Sequence, residues 1–191
     1  MFTGIIHYRG SIQEFSGAEG QLITIATPSS FPSLSLGSSV ACNGICLTII
    51  EQQDSVFKVE ISPETRRCTS ANNWQPGTPL NLEPALRLGD TLDGHLVSGH
   101  IDATLQIKNI CSFLKFTEIW ISMNENIKKY ITPKGSVTID GVSLTINTVT
   151  ATFFTVMIIP HTWENTIFSH YTIGTWVNIE VDLIARYLAR F

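Results

Sequence analysis

Val40-Ala41-Cys42-Asn43-Gly44-Ile45-Cys46-Leu47-Thr48-Ile49 decides the fold, because the chain states it again as Val137-Thr138-Ile139-Asp140-Gly141-Val142-Ser143-Leu144-Thr145-Ile146. In both copies an Asn-Gly or Asp-Gly pair stands between apolar residues. That dipeptide is the strongest short-range signal for a tight hairpin, since glycine accepts the positive φ the turn demands. After the turn, a small polar side chain (Cys46 or Ser143) and a threonine (Thr48 or Thr145) flank a leucine. Residues two apart on a strand share a face. Each copy therefore presents a small polar pair at the start of a strand.

Further blocks repeat on either side of this hairpin. Phe57-Lys58-Val59-Glu60-Ile61-Ser62-Pro63-Glu64-Thr65 matches Phe154-Thr155-Val156-Met157-Ile158-Ile159-Pro160-His161-Thr162, and Gly77-Thr78-Pro79-Leu80-Asn81-Leu82-Glu83 matches Gly174-Thr175-Trp176-Val177-Asn178-Ile179-Glu180. From the hairpin onward the offset is constant at 97 residues (Val40 to Val137). At the N-terminus it is 95, where Phe2-Thr3-Gly4-Ile5-Ile6 matches Val97-Ser98-Gly99-His100-Ile101. Repeating arrays have periods of ~20–50 residues, so a period near a hundred marks a duplicated domain.

Within the first copy, Thr3 to Ile12 reads as a strand broken by Gly4 and Gly10, and Leu22 to Thr27 as a second strand. Pro28 to Ser33 reads as a loop, because prolines remove donors and serines compete for the backbone. Phe57, Val59 and Ile61 alternate with Lys58 and Glu60, the period of a half-buried strand. A short helix with proline in its first turn is expected from Pro63 to Thr69. Gln75-Pro76-Gly77-Thr78 turns the chain into another strand, Leu80 to Glu83. Each half holds about six short strands, which favours a small antiparallel barrel over a parallel sheet.

The second half adds an expected helix from Asn124 to Tyr130 and a short one after Pro160. At the end, Ile184, Leu188 and Phe191 make an apolar stripe at helical period. A helix of ~9 residues does not stand alone in water. It docks either on its own barrel or on a neighbouring subunit.

The composition narrows the functional classes. The chain has 191 residues, 43% hydrophobic and only 15% charged, enough to bury a sizeable core. A formal net charge of −4 and the lack of a basic run argue against a nucleic-acid protein. No apolar run reaches the ~18 residues of a membrane helix. The N-terminus lacks a secretory leader, and the four cysteines show no CxxC spacing. The expectation is a cytoplasmic protein with reduced thiols.

The chemistry is sought where the copies disagree. Ile5 is replaced by His100, Cys46 by Ser143, Asn43 by Asp140, Glu64 by His161 and Gly37 by Lys134, whereas Thr48 agrees with Thr145 and Ser39 with Ser136. The frame is kept while the proton-transfer groups change, as two like molecules bound in unlike roles require. His100 is either a half-buried histidine or an acid–base group, since histidine ordinarily titrates near ~6.5. Cys46 reads as a core residue or a nucleophile, Asp140 as a turn residue, Asp182 as a helix cap or a site carboxylate, and Lys134-Gly135 as a solvated turn. His95 and His100, five apart, face opposite sides of a strand and lack a third ligand, so no metal is expected.

Taken together these residues resemble the riboflavin synthase family of the alpha-chain type. The resemblance rests on Met1 to Ile6, Ser39 to Thr48, Gly94 to Asp102, Lys134-Gly135, Ile139 to Thr145 and Val177 to Asp182. It implies an all-β fold of two tandem homologous six-stranded antiparallel Greek-key barrels, 1–86 and 87–182, with a short C-terminal helix, 183–191. It implies a transferase in riboflavin biosynthesis that dismutates 6,7-dimethyl-8-ribityllumazine. One molecule gives a four-carbon unit to a second, yielding riboflavin and 5-amino-6-ribitylamino-uracil, with no cofactor or metal. A homotrimer is implied, with the site between barrels of neighbouring subunits and lumazine synthase as a candidate partner.

The resemblance also implies the site. Gly4, Ile5 and Ile6 would hold one substrate with Cys46, Leu47, Thr48 and the segment Glu60, Ile61, Ser62, Pro63, Glu64, Thr65. Gly99, His100, Ile101, Lys134, Ser143, Leu144, Thr145 and the segment Met157, Ile158, Ile159, Pro160, His161, Thr162 would form the other half-site. Catalytic candidates are His100, Ser143, Cys46, Ser39 and Asp182. Two local departures stand out, Asp93-Gly94 in place of two glycines and Arg66 in place of leucine after Thr65. The chain also ends at Phe191, short of the longer terminal helix of many members. The rival expectation is a non-catalytic antenna protein that binds lumazine or flavin.

Overall fold

The computed structural model describes residues 1–17 and 21–190. Twelve strands form two closed barrels. The first contains β1 (Tyr8–Ser16), β2 (Leu22–Ala26), β3 (Ser39–Cys42), β4 (Ile45–Gln53), β5 (Val56–Glu60) and β6 (Pro79–Pro84), closed in the order β1-β2-β5-β4-β3-β6. The second contains β7 (Ala103–Phe113), β8 (Phe116–Ser122), β9 (Ser136–Ile139), β10 (Val142–Val149), β11 (Phe153–Ile158) and β12 (Trp176–Val181), and closes in the same cyclic order. All pairings are antiparallel. Short helices intervene: α1 (Pro63–Cys68), α2 (Glu125–Lys128), α3 (Pro160–Asn165) and α4 (Leu183–Leu188), with 3-10 turns at Ser70–Asn73 and Ile167–His170.

Each barrel is filled by alternating aliphatic side chains. Ile23, Ile25, Val40, Ile49, Val59 and Leu80 pack in the first, with Ile107, Ile121, Val137, Ile146, Val156 and Val177 in the second. Bulges after Ile12 and Ile49 recur after Ile107 and Ile146. An extra residue bends its strand and raises the twist, so these kinks help each sheet close.

Both hairpins form as their sequence requires. Asn43 and Gly44 have φ of 46° and 78°, and Asp140 and Gly141 have 44° and 81°. Positive φ at both central residues is the type I′ turn that suits strand twist. The two turns also meet each other. A Cβ on Gly44 would lie 2.7 Å from the Gly141 nitrogen, and one on Gly141 2.8 Å from the Gly44 nitrogen.

Around that contact the barrels are cross-linked by buried amides. The Asn81 side chain donates to the Asp140 carbonyl at 2.9 Å and accepts from the Ile167 N–H at 2.9 Å. Its counterpart Asn178 donates to the Asn43 carbonyl at 2.8 Å and accepts from the Ser70 N–H at 2.7 Å. Each amide is satisfied in the other barrel, so separating the halves would leave buried polar groups unpaired at ~1–3 kcal/mol each.

Three local expectations are corrected. The first strand begins at Tyr8, not Thr3, and runs unbroken through Gly10. There glycine serves close approach, since a Cβ would fall 2.5 Å from the Ala26 carbonyl oxygen. The expected helix from Asn124 to Tyr130 shrinks to the four residues of α2, capped by Asn124. The terminal helix forms, but Ile184, Tyr187 and Leu188 are 61%, 63% and 65% exposed. Its stripe does not pack on its own barrel; Arg186 ties it down through Asp102 at 2.8 Å. Phe191, the last member of the stripe, lies outside the described residues. No helix among the described residues is long and apolar enough to cross a membrane.

Candidate functional site

The segments preceding each barrel position the site, and two buried glutamates hold them. Glu83 on β6 accepts from the Thr3 N–H at 2.7 Å, the Thr3 hydroxyl at 2.8 Å and the Gly4 N–H at 3.1 Å. Glu180 on β12 accepts from the Ser98 N–H at 2.7 Å, the Ser98 hydroxyl at 2.6 Å and the Gly99 N–H at 2.8 Å. Burial pushes the Glu83 carboxyl up, against the pull of its Thr3 and Gly4 donors and of His7. Strapped in this way, Gly4 and Gly99 have φ of 78° and 80°.

The two segments then cross. Phe2 and Val97 pair as an antiparallel bridge, with hydrogen bonds of 2.8 and 3.1 Å. Beyond the bridge, the Gly4 carbonyl accepts from the Ser143 N–H at 2.8 Å, and the Gly99 carbonyl accepts from the Cys46 N–H at 3.0 Å. A Cβ on Gly4 would sit 2.6 Å from the Ser143 Cβ, and one on Gly99 2.5 Å from the Cys46 Cβ. Ile6 packs against the core of the second barrel and Ile101 against that of the first. Each leading segment thus completes the other copy's barrel.

Within the chain, Gly4 and Ile6 thus lie against the barrel of Ser143, and Gly99 and Ile101 against that of Cys46, across the pairing that the resemblance implies for the two substrates. The cause is the Phe2–Val97 bridge, a contact between copies that no offset within the sequence encodes.

On the first barrel, Thr48 lies opposite Ser39 in the β3–β4 register, with Cys46 two residues before it. Thr48, Glu60, Ile61, Ser62 and Pro63 line a cavity of about 750 Å³ together with Gln21 and Ile50. Ser62 caps α1 by accepting from the Thr65 N–H at 3.0 Å, and Glu64 pairs with Arg67 at 2.7 Å. Leu47 and Ile61 point into the core, so they offer a ligand only their backbone. Ile158 is buried in the same way in the second barrel.

On the second barrel, Thr145 lies opposite Ser136, and Ser143 is two residues before it. Leu144 packs partly on the core. Met157 stands on β11 just before buried Ile158, which ends the strand, Ile159 is exposed, and Pro160, His161 and Thr162 open α3. Lys134, exposed, holds φ of 69° where the first copy has Gly37 at 83°, and its N–H donates to the Ile146 carbonyl at 2.7 Å. A lysine kept in the left-handed region costs ~1–2 kcal/mol.

Sequence reasoning missed His95. Its Nδ1 lies 2.7 Å from the Ser143 Oγ, while its Nε2 is buried without a partner. Burial holds its pKa below the ordinary histidine value, partly offset by the charge of Asp182. A neutral imidazole on a hydroxyl is the arrangement that activates a weak nucleophile or a water. The signal for His95 in the sequence was a histidine just ahead of the Val97 to Ile101 block, in the stretch that carries the resemblance. Asp182 itself caps α4 through the Ile184 N–H at 2.9 Å. Glu83 and Glu180 were also missed, although each recurs at the constant offset on an apolar strand, where an unpaired acid would be costly.

Across the barrels, Cys46 has no such histidine hydrogen bond among the described residues. It stands beside the segment carrying His100, which is exposed and whose N–H donates to the Ser98 Oγ at 3.3 Å. The two positions share a frame and differ in side chain, a serine beside a histidine in one and a cysteine in the other.

The fold and paired sites define a duplicated lumazine-binding protein: the family described as lumazine binding domain matches twice, over residues 3–85 and 98–182. The riboflavin synthase of Bacillus subtilis (strain 168) is 41% identical over all of this chain and 89% of its own length. That of Brucella abortus (strain 2308) is 40% identical, over all of this chain and 97% of its own. The chain belongs to the riboflavin synthase family. Among solved structures, LumP complexed with riboflavin superposes with a TM-score of 0.84 at 22% identity, covering 95% of this chain and 99% of that one. LumP complexed with 6,7-dimethyl-8-(1'-D-ribityl) lumazine gives 0.81 at 20%, with the same coverage. These likenesses speak for the fold.

Proposed function

We propose that the chain is a transferase that joins two molecules of 6,7-dimethyl-8-ribityllumazine, moving a four-carbon unit from donor to acceptor. The products are riboflavin and 5-amino-6-(ribitylamino)uracil. The observation that carries this reading is the pair of crossed half-sites, built on one frame and armed differently. Ser143 with His95 stands in one, and Cys46 beside the His100 segment in the other. The two products contain all the atoms of the two substrates, so the reaction needs no co-reactant.

The chemistry requires a proton to leave a ring methyl of one lumazine and a nucleophile to add to the other ring. In this proposal His95 takes the proton of the Ser143 hydroxyl or of a water beside it, and Cys46 and His100 serve the other ring. Ser39 and Thr48 place hydrogen bonds near the ring held beside Cys46, and Lys134 anchors the polyol chain of the ring held beside Ser143. Aligning two reactants is worth effective molarities of ~10⁵–10⁸ M, against ~10²–10⁴-fold for acid–base help. Holding the two rings together is therefore the larger contribution.

The rings meet when a half-site of one subunit faces the unlike half-site of another, in a homotrimer. The exposed stripe of Ile184, Tyr187 and Leu188 supports a surface covered in an assembly. The test is to incubate purified protein with the lumazine alone. Riboflavin and the uracil should appear in equal amounts. A stoichiometric fluorescent complex without turnover would instead make the chain an antenna protein.

A further inference from the structure

Where the two barrels meet lies another cavity, of about 530 Å³, separate from the half-site that Thr48 and Glu60 line. It sits on the approximate twofold that relates the copies, because its walls come in copy-related pairs. Trp74 faces it with Tyr171, and Pro79 with Trp176. We propose that this interbarrel cleft is a third small-molecule site, taking an uncharged planar heteroaromatic ring with a hydrogen-bonding edge.

Three observations point to that class. The walls are aromatic, and Trp176 is half-exposed at 48%, leaving a broad ring surface on which a flat ligand stacks. Among the described residues of the walls, one buried polar side chain awaits a partner. Ser70 is only 7% exposed and lines the cleft, and its Oγ has no hydrogen bond in the structure. A buried hydroxyl left unpaired costs ~1–3 kcal/mol, which a ligand edge that donates or accepts would recover. The charge of the ligand follows from Asp140 in the wall. Its carboxyl already accepts from the Asn178 N–H at 2.8 Å and from the Tyr171 hydroxyl. An ammonium would find the acid engaged, and an anion would find no lysine or arginine among the described residues of the walls.

This site goes beyond the proposed reaction and does not depend on it. Lumichrome, a flat uncharged tricycle without a polyol chain, is a suitable probe for the full-length protein. The expected result is saturable quenching of lumichrome fluorescence that persists with saturating 6,7-dimethyl-8-ribityllumazine. Trp176→Ala and Ser70→Ala should each weaken the binding at least fivefold, with riboflavin formation unchanged. Displacement by the lumazine, equal affinity in both variants, or no saturation up to the solubility limit of lumichrome would each overturn the proposal. Riboflavin formation is measured independently, so its absence would bear on the enzymatic reading and not on the cleft.

Discussion

The two barrels of this chain share strand order, bulge positions, type I′ turns and buried glutamate straps, yet they differ at a few side chains facing their sites. Where they agree, the residues close a barrel or hold a segment: Asn81 with Asn178, Glu83 with Glu180, Gly4 with Gly99. Where they differ, the residues carry protons or charge: Cys46 against Ser143, Ile5 against His100, Gly37 against Lys134. Duplication preserves what folding needs in both copies, because each copy must close the same barrel. It leaves free what only one half-site needs, so differences between the halves point to chemistry more directly than any single residue does.

The strongest way to break this comparison is at Ser143 and His95. Removing either group should lower turnover about 10²-fold or more, the scale of a lost acid–base contribution. Cys46→Ala, on the side without a histidine hydrogen bond, should cost less. Burial lowers the His95 pKa, so the neutral ring persists below the usual histidine range. The acid limb of kcat/KM should accordingly lie below ~6.5 and vanish in His95→Gln. An unchanged profile in that variant would remove His95 from the mechanism.

The crossing of the segments predicts effects on the opposite barrel. Glu83→Gln loosens Thr3 and Gly4, and so should weaken ligand binding at the Ser143 site by about tenfold, while Glu180→Gln should weaken the Cys46 site. Ligand titration monitored by NMR signals from each barrel separates the two. Effects confined to the barrel that carries the mutated glutamate would refute the crossed arrangement.

Asp140 against Asn43 gives a comparison in stability. Burial pushes the Asp140 carboxyl up to about 7, from an ordinary 3.8, against the pull of Tyr171 and the Asn178 N–H. Below pH 3.8 both folded and unfolded chains hold the proton. Between 3.8 and about 7 the unfolded chain releases it first, so this group's contribution to stability falls as pH rises and levels off above 7. Asp140→Asn, which makes the second turn like the first, should flatten that slope. It should also stabilise the protein at pH 8 by roughly 1–3 kcal/mol, a fraction of the about 4 kcal/mol that a shift of about 3 pKa units carries at 1.36 kcal/mol each. Thermal melts across pH measure it.

The smallest expected effect is at Lys134. Lys134→Gly relieves a left-handed backbone and should raise stability by about 1 kcal/mol, while raising KM for the lumazine. A variant that melted lower, or kept the same KM, would show that the lysine is there for the fold.

Much of this was legible beforehand, for reasons that are local. The Asn-Gly and Asp-Gly turns, the apolar alternation and the prolines that open α1 and α3 act over a few residues, and a duplicated gene prints each signal twice. The terminal helix was legible too, whereas the direction of its stripe was not, because that depends on what packs against it. The sequence by itself determined two like barrels, their closing hairpins and the list of positions where the halves diverge. Only the tertiary structure decided which leading segment meets which barrel, that His95 reaches Ser143, and that Asn81 and Asn178 bond across the pair. Self-similarity relates each residue to its own copy; hydrogen bonds and steric contact between the copies join residues whose separation in the chain carries no period.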